Sequence, residues 1–408
     1  MIGVIADDVT GATDVAAALS RAGLRTLLAL TAEPEDREVD ADAIVIGLKT
    51  RSIPAPDAVE QSLTALRTLQ RWGADRFYVK YCSTFDSTPA GNIGPVTEAL
   101  AAELGARTVV TTPAAPLHGR TVYRGHLFVG DALLDETHMR DHPITPMRDS
   151  SVPRLLIPQV CGQVGLLPLS TVREGAASIQ RRIAEAEADG TAHLVVDAVA
   201  DDDLAAIAEA VAGRVLVAGS AGLVGALALL AAGSRSDAAL PPQSRTAIIA
   251  GSCSRRTLEQ IADYRAGGGP AYRLAATPGE TAESLASRAL EWWDAQPDGR
   301  SALLYSSSNP DERETSAPGD AELYEETAGL LATRLAGRGI RRLLIAGGET
   351  SGAVIRALGT DVAVVEREVA PGVPWIHDTA NDLHLVLKSG NFGEPGFFTE
   401  VAGAGSAA

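Results

Sequence analysis

Short apolar runs alternate with longer amphipathic stretches along most of the chain. Runs at 2–6, 26–30, 43–47, 76–80, 108–112, 194–197 and 215–219 read as buried strands. Segments at 14–22, 56–72, 93–104, 176–188 and 204–212 have helical composition and spacing. Helices inserted between buried strands predict right-handed βαβ crossovers and a mainly parallel sheet. Residues 113–160 break the rhythm with six prolines and four histidines. That stretch is expected to form long loops over a substrate site rather than core.

The pattern restarts after 231–245, Ala-Ala-Gly-Ser-Arg-Ser-Asp-Ala-Ala-Leu-Pro-Pro-Gln-Ser-Arg, which is small, polar and proline-bearing, as a linker should be. Strands are then expected at 247–250, 302–305, 343–346, 362–365 and 384–387, with helices at 256–265, 282–293 and 321–336. The expected organisation is therefore α/β in two domains, 1–232 and 246–408, joined by a linker at 233–245. Each domain would be a mainly parallel sheet flanked by helices, with the active site in the cleft between them. Residues 215–234 carry no charge and reach the ~20 residues that span a bilayer. Gly219-Ser-Ala-Gly222 divides them, however, so a buried strand–turn–helix is the expectation. The chain opens directly in a strand, without a signal peptide, which points to the cytoplasm.

Composition narrows the partners. The 408 residues are 46% apolar but only 4% aromatic, so the cores must be aliphatic. Fifty-two acidic against thirty-five basic residues leave a net charge of −17, which argues against nucleic acid or an anionic membrane. Any anionic ligand then depends on individual lysines and arginines near the motifs. Cys82, Cys161 and Cys253 are far apart, with no spacing for a disulfide framework or a zinc site.

Two polar clusters follow predicted strands. Lys80-Tyr-Cys-Ser-Thr-Phe-Asp-Ser-Thr-Pro-Ala-Gly-Asn92 packs a lysine, an aspartate, an asparagine and four Ser/Thr hydroxyls into thirteen residues. Lys80 could face a carboxylate, and Ser83, Thr84, Asp86 and Asn92 could address hydroxyls. The same side chains could instead tie down their own loop. Asp7-Asp8-Val-Thr-Gly11 stands where the first strand ends, the expected crevice of an open α/β sheet. Adjacent carboxylates there can accept a proton or hold a metal, whereas Asp8 could also simply cap the next helix.

In the second half, Gly251-Ser-Cys-Ser254 and Gly347-Gly-Glu-Thr-Ser351 each join a strand to a helix start. Glycine lets backbone approach an anion, and the first N–H groups of the helix point at it. Lys388-Ser-Gly-Asn-Phe-Gly393 adds a third loop, in which Lys388 could neutralise phosphate and Gly390 could approach a nucleotide. Neither a GxxxxGK[ST] run nor a protein-kinase signature set is present. Glu349 reads either as a helix-start dipole partner or as a contact to nucleotide or magnesium.

These segments, with Gly119-Arg-Thr-Val-Tyr-Arg-Gly-His-Leu127, resemble the four-carbon acid sugar kinases over residues 2 to about 398. The form Lys-Tyr-Cys-Ser-Thr-Phe-Asp-Ser-Thr is most similar to the 3-oxo-tetronate kinase branch; threonate and erythronate kinases are the alternative. The resemblance implies ATP-dependent phosphorylation of the terminal 4-hydroxyl of a four-carbon sugar acid. It implies ATP binding through Ser252, Ser254, Gly347, Gly348, Glu349, Thr350 and Gly390, with Mg²⁺ following from ATP chemistry. Asp8 or Asp86 is then expected at the reacting hydroxyl, with Asp7 nearby and Lys80 and Arg154 toward the carboxylate. His126 reads as a substrate contact or as a satisfied core histidine. A homodimer stays open. A dinucleotide oxidoreductase fits poorly, because the first strand leads into two aspartates rather than GxGxxG. A sugar-acid binding protein would not need the glycine-rich loops.

Overall fold

The computed structural model describes residues 1–35, 38–142, 144–231, 244–297, 299–307 and 320–403. The predicted linker at 233–245 lies, apart from residues 244 and 245, outside the described residues. The chain divides into two compact units, Met1–Asp237 and Ala238–Ala408.

The first unit holds β1 (Ile2–Ala6), β2 (Thr26–Ala29), β3 (Ala43–Gly47), β4 (Arg76–Lys80), β5 (Val109–Thr112), β6 (Arg120–Tyr123), β7 (His126–Val129), β8 (Ala132–Leu133), β9 (Gln163–Leu167), β10 (Thr191–Val196) and β11 (Leu216–Gly219). Its main sheet has the order β2-β3-β1-β4-β11-β5-β10-β9. Every pairing in it is parallel. Strands β1 and β3 are buried along their whole length, which is why they read as unbroken apolar runs. The chain passes from β3, on one side of β1, to β4 on the other. That reversal opens a crevice at the strands' carboxyl ends, the usual ligand position in such sheets.

Helix Val9–Arg21 starts five residues before the predicted 14–22. Asp8 has extended backbone and its side chain accepts from Gly11 N, so the helix begins at the acidic turn itself. The uncharged stretch forms β11 and helix Ala221–Ala231, as expected. No helix among the described residues is long and apolar enough to cross a membrane.

Residues 113–160 are not loops alone. β6, β7 and β8 form an antiparallel sheet, and Val122, Leu127, Leu134, Met139, Met147, Val152 and Leu156 are buried. The β6–β7 turn is Arg124-Gly125, with φ of +50° and +74°. Two positive φ values suit a tight hairpin, but arginine in the first place hides the signal. Asp197, fully buried, accepts from Arg124 N and Gly125 N at 2.8 Å each and from Leu169 N at 3.0 Å, which pins the turn to the main sheet.

The second unit holds β12 (Thr246–Ala250), β13 (Ala271–Arg273), β14 (Ala302–Tyr305), β15 (Arg342–Ala346), β16 (Val362–Ala370), β17 (Val373–Asp378) and β18 (Leu383–Lys388). Its order is β13-β14-β12-β15-β18-β17-β16. The first five strands run parallel, β17 runs against them, and β16, antiparallel to β17, runs with them again. β17 escapes the sequence pattern because Pro374 interrupts it. The proline sits opposite Glu368, where the β16–β17 register shifts, a place that tolerates a missing donor.

Candidate active site

The carboxyl ends of β3, β1 and β4 bring one polar group together in the first unit. Asp7 and Asp8 follow β1, Lys80 closes β4, and Arg51 stands four residues past β3. Asp7 N donates to Lys80 O at 3.1 Å, and Thr50 N and Arg51 N donate to Asp7 O at 2.9 and 3.2 Å. The three strand ends are thus cross-bonded through backbone before any side chain acts.

Arg51 is the hub, and sequence reasoning missed it. Its guanidinium grips Asp7 in the two-pronged geometry specific to arginine, Nε to Oδ2 at 2.8 Å and Nη2 to Oδ1 at 3.0 Å. Nη2 also lies 2.8 Å from Asp8 Oδ1, and Nη1 lies 3.7 Å from Asp86 Oδ2. Burial alone would depress the Arg51 pKa, but Asp7 and Asp8 more than reverse this and hold it well above the ordinary value. Burial pushes the Asp8 carboxyl up, with Arg51 opposing and Asp7 adding to the rise.

Asp8 makes the helix cap that the sequence allowed. Oδ1 caps the helix through Gly11 N at 2.9 Å and also meets Arg51. Gly11 leaves room for both tips: a Cβ would stand 2.4 Å from Asp8 Oδ1 and 2.8 Å from Lys80 Nζ and would displace them. Lys80 is 3% exposed, so its charge is held inside the site rather than in water.

The loop after β4 carries backbone strain. Phe85 and Asp86 have φ of +65° and +40°, each costing about 1–3 kcal/mol in a non-glycine residue. Phe85 is buried edge-on against Tyr81 at 5.5 Å, which holds the distortion in place. The turn aims Asp86, whose Oδ1 accepts from Thr84 Oγ1 at 2.7 Å. Ser83 is half-buried in the same turn. Burial, then Asp86, push the Cys82 thiol up to about 11, which leaves it a space-filling group rather than a nucleophile. Asn92 differs from expectation: its Nδ2 donates to Thr50 O and Ile53 O at 2.5 and 2.8 Å.

His126 and Arg154 make their contacts elsewhere. His126 Nδ1 lies 3.0 Å from Ser150 Oγ, and Arg154 forms a two-pronged pair with Asp149 at 2.7 and 2.6 Å. The Arg154 side chain is 59% exposed.

In the second unit three loops meet at the carboxyl ends of the adjacent strands β12, β15 and β18. Ser254 caps helix Arg255–Ala266 through Thr257 N and donates to Gly390 O at 2.6 Å. Gly347 N donates to Lys388 O at 2.8 Å, and Ser252 N donates to Ala346 O at 3.1 Å. Gly347 has φ of +129° and opens helix Gly348–Leu358, with Glu349 and Thr350 in its first turn. A Cβ at Gly390 would meet Ser252 Oγ at 2.5 Å and Ser254 Oγ at 2.8 Å. Such a crowded backbone cradle over two helix starts fits the phosphates of a nucleotide. Lys388 is fully buried and its Nζ donates to Thr257 Oγ1, Ser389 O and Gly390 O at 3.2, 2.9 and 3.1 Å. It shapes the Gly390 loop, and burial, with Arg256 adding, pushes its pKa down to about 7.

Glu366, His377 and His384, on β16, β17 and β18, place one ligand atom each within 4.8 Å of one another. They do not suit a metal as arranged. The imidazoles stack at 4.2 Å and 13°, so their lone pairs run side by side instead of converging. His384 Nδ1 already bonds Glu366 Oε2 at 2.9 Å. The buried Arg342, level with His384 in the next strand, adds an opposing charge.

Family models described as a sugar-binding N-terminal domain and a nucleotide-binding C-terminal domain match residues 2–227 and 247–398. Among curated proteins, the chain is 41% identical to a 3-oxo-tetronate kinase of Pectobacterium atrosepticum, with 98% of both chains covered. It is 44% identical to one from Cupriavidus necator over 98% of this chain and 96% of that protein. A crystal structure from Salmonella typhimurium, provisionally described as a tRNA synthase, superposes with a TM-score of 0.91 at 39% identity, covering 98% of each chain. One from Haemophilus influenzae gives 0.83 at 40% identity, covering 98% of this chain and 99% of that one.

Proposed function

Since the chain belongs to the four-carbon acid sugar kinase family, we propose that it transfers the γ-phosphoryl group of ATP to the 4-hydroxyl of 3-oxo-tetronate. The observation that carries this reading is the convergence of Asp7, Asp8, Arg51, Lys80 and Asp86 on three adjacent strand ends. The first unit is assigned the acid and the second ATP.

Phosphoryl transfer needs a positioned nucleophile and neutralisation of developing charge more than covalent chemistry by the protein. Lys80 supplies the cation for the acid's carboxylate. Asp8 takes the proton from the 4-hydroxyl as the new O–P bond forms and ADP leaves. Its Oδ1 is engaged by Gly11 and Arg51, so Oδ2 is the accepting oxygen. Asp86 is the second candidate. Ser252, Ser254, Gly347, Gly348, Thr350 and Gly390 would cradle the triphosphate, with Glu349 the carboxylate at hand for magnesium. Mg²⁺ supplies charge neutralisation on the phosphate oxygens. A tRNA-directed role is opposed by the net charge of −17.

Coupled measurement of ADP release against four-carbon acids tests the reading. The highest kcat/KM is expected with a 3-oxo-tetronate. Turnover confined to threonate or erythronate would move the assignment to that branch, and no ADP release with any acid would leave only a binding protein. The cradle carries its own test. Gly390→Ala forces a methyl into the Ser252 and Ser254 hydroxyls, and overpacking costs about 1–3 kcal/mol. The KM for ATP is expected to rise about tenfold, with that for the acid unchanged in steady-state kinetics.

A further inference from the structure

Asn92 stands at the entry to helix Ile93–Leu104, 7% exposed, yet its side chain does not cap that helix. Its Nδ2 instead faces three carbonyls of one loop: Thr50 O at 2.5 Å, Ile53 O at 2.8 Å and Arg51 O at 3.5 Å. Three acceptors around one atom identify it as the nitrogen, since an oxygen there would be repelled by all three. From the other side, Thr50 N and Arg51 N are bonded to Asp7 O. The loop is therefore clamped between the Asp7 backbone and the Asn92 amide, with Arg51 in the middle. Asn92 Oδ1, by contrast, is buried without a partner.

We infer that Asn92 is a positioning residue acting through Arg51, which it holds in place to bridge the Asp7 and Asp8 carboxylates. The inference rests on the kinase reading for its consequence in turnover, but not for its geometry. The charged groups facing Asp8 are Arg51 from the loop after β3, Lys80 from β4 and the adjacent Asp7; Asp86 faces Arg51 from the loop after β4. Of the two cations, Arg51 is the one in direct contact with Asp8. Loosening its loop withdraws the charge that opposes the upward push of burial on the Asp8 carboxyl.

Two measurements test this on the full chain. The first is independent of activity: the Asp8 carboxyl is titrated by carbon NMR in ligand-free protein. Arg51→Gln removes the favourable charge and must raise the Asp8 midpoint. Asn92→Ala is expected to raise it in the same direction, and to add nothing in the Arg51→Gln background. The second is kinetic. Asn92→Ala is expected to lower kcat about tenfold and to move the acid limb of the kcat/KM profile to higher pH, again with little further effect once Arg51 is gone. Asn92→Leu keeps the volume and removes the donor without adding a charge, and gives the same lack of additivity if the alanine variant melts early. An unmoved Asp8 midpoint in Asn92→Ala overturns the inference whatever the activity. So does a rise in the KM for the acid that adds fully to that of Arg51→Gln, which would make Asn92 Oδ1 a direct hydroxyl contact. Wild-type protein that releases no ADP would defeat the kinase reading and leave the titration to decide the inference.

Discussion

Replacing Asp8 with asparagine is expected to lower kcat by ~10²–10⁴, the scale of a positioned acid–base group, while the melting temperature barely moves. Asparagine caps a helix about as well as aspartate, so the bond from Gly11 N at 2.9 Å survives. The lost contact with Arg51 involves side chains that are 25% and 30% exposed. Arg51 keeps its two-pronged hold on Asp7, so the substitution leaves no guanidinium charge unpaired. What disappears is the group able to take a proton. Because burial raises the Asp8 pKa, wild-type activity should fall on the acid side as pH drops through that raised value, and the variant should lack this limb. A variant that melts normally and phosphorylates at near wild-type rate sinks the assignment. Asp86, aimed by the strained turn at Phe85 and Asp86, then becomes the proton acceptor to test.

Lys80→Ala is expected to raise the KM for the sugar acid roughly tenfold to a hundredfold and to leave that for ATP nearly unchanged. A hydrogen bond to a charged group is worth ~1.5–3 kcal/mol, and each ~1.4 kcal/mol is a decade. Lys80 is 3% exposed, so water cannot easily replace the lost ammonium. Lys80→Met, which keeps the buried stem, separates the charge from the packing: both variants should show the same rise in KM. Equal effects on both substrates would instead assign Lys80 to the transferring phosphoryl group.

The clamp around Arg51 is not legible from residues read in order. Arg51 lies in Leu48-Lys-Thr-Arg-Ser-Ile53, a segment with no glycine motif and no acidic neighbour. Its partner Asp7 is 44 residues away. Nothing local marks it, because its role arises only when β3 pairs beside β1 in register. Asn92 was visible as a polar residue in a dense motif. Its direction was not, since only the tertiary structure sets three carbonyls of the 50–53 loop around its amide. The same holds for Lys388, whose loop was legible but whose ammonium turns back onto Ser389 and Gly390.

The alternation of strands and helices was carried by the chain itself. Parallel strands covered on both faces must be continuous apolar runs, so β1, β3, β12 and β15 announce themselves. The glycine loops and the Asp7-Asp8 turn were also legible, because close backbone approach and helix starts need particular residues. The β6–β7 hairpin and β17 were not, since Arg124 at positive φ and Pro374 within a strand are local exceptions that only surrounding contacts make tolerable. Strand order, the crevice at β3, β1 and β4, and the placing of Arg51 among three carboxylates were decided by the fold. Their energies come from contacts between residues far apart in sequence, and no local propensity encodes those.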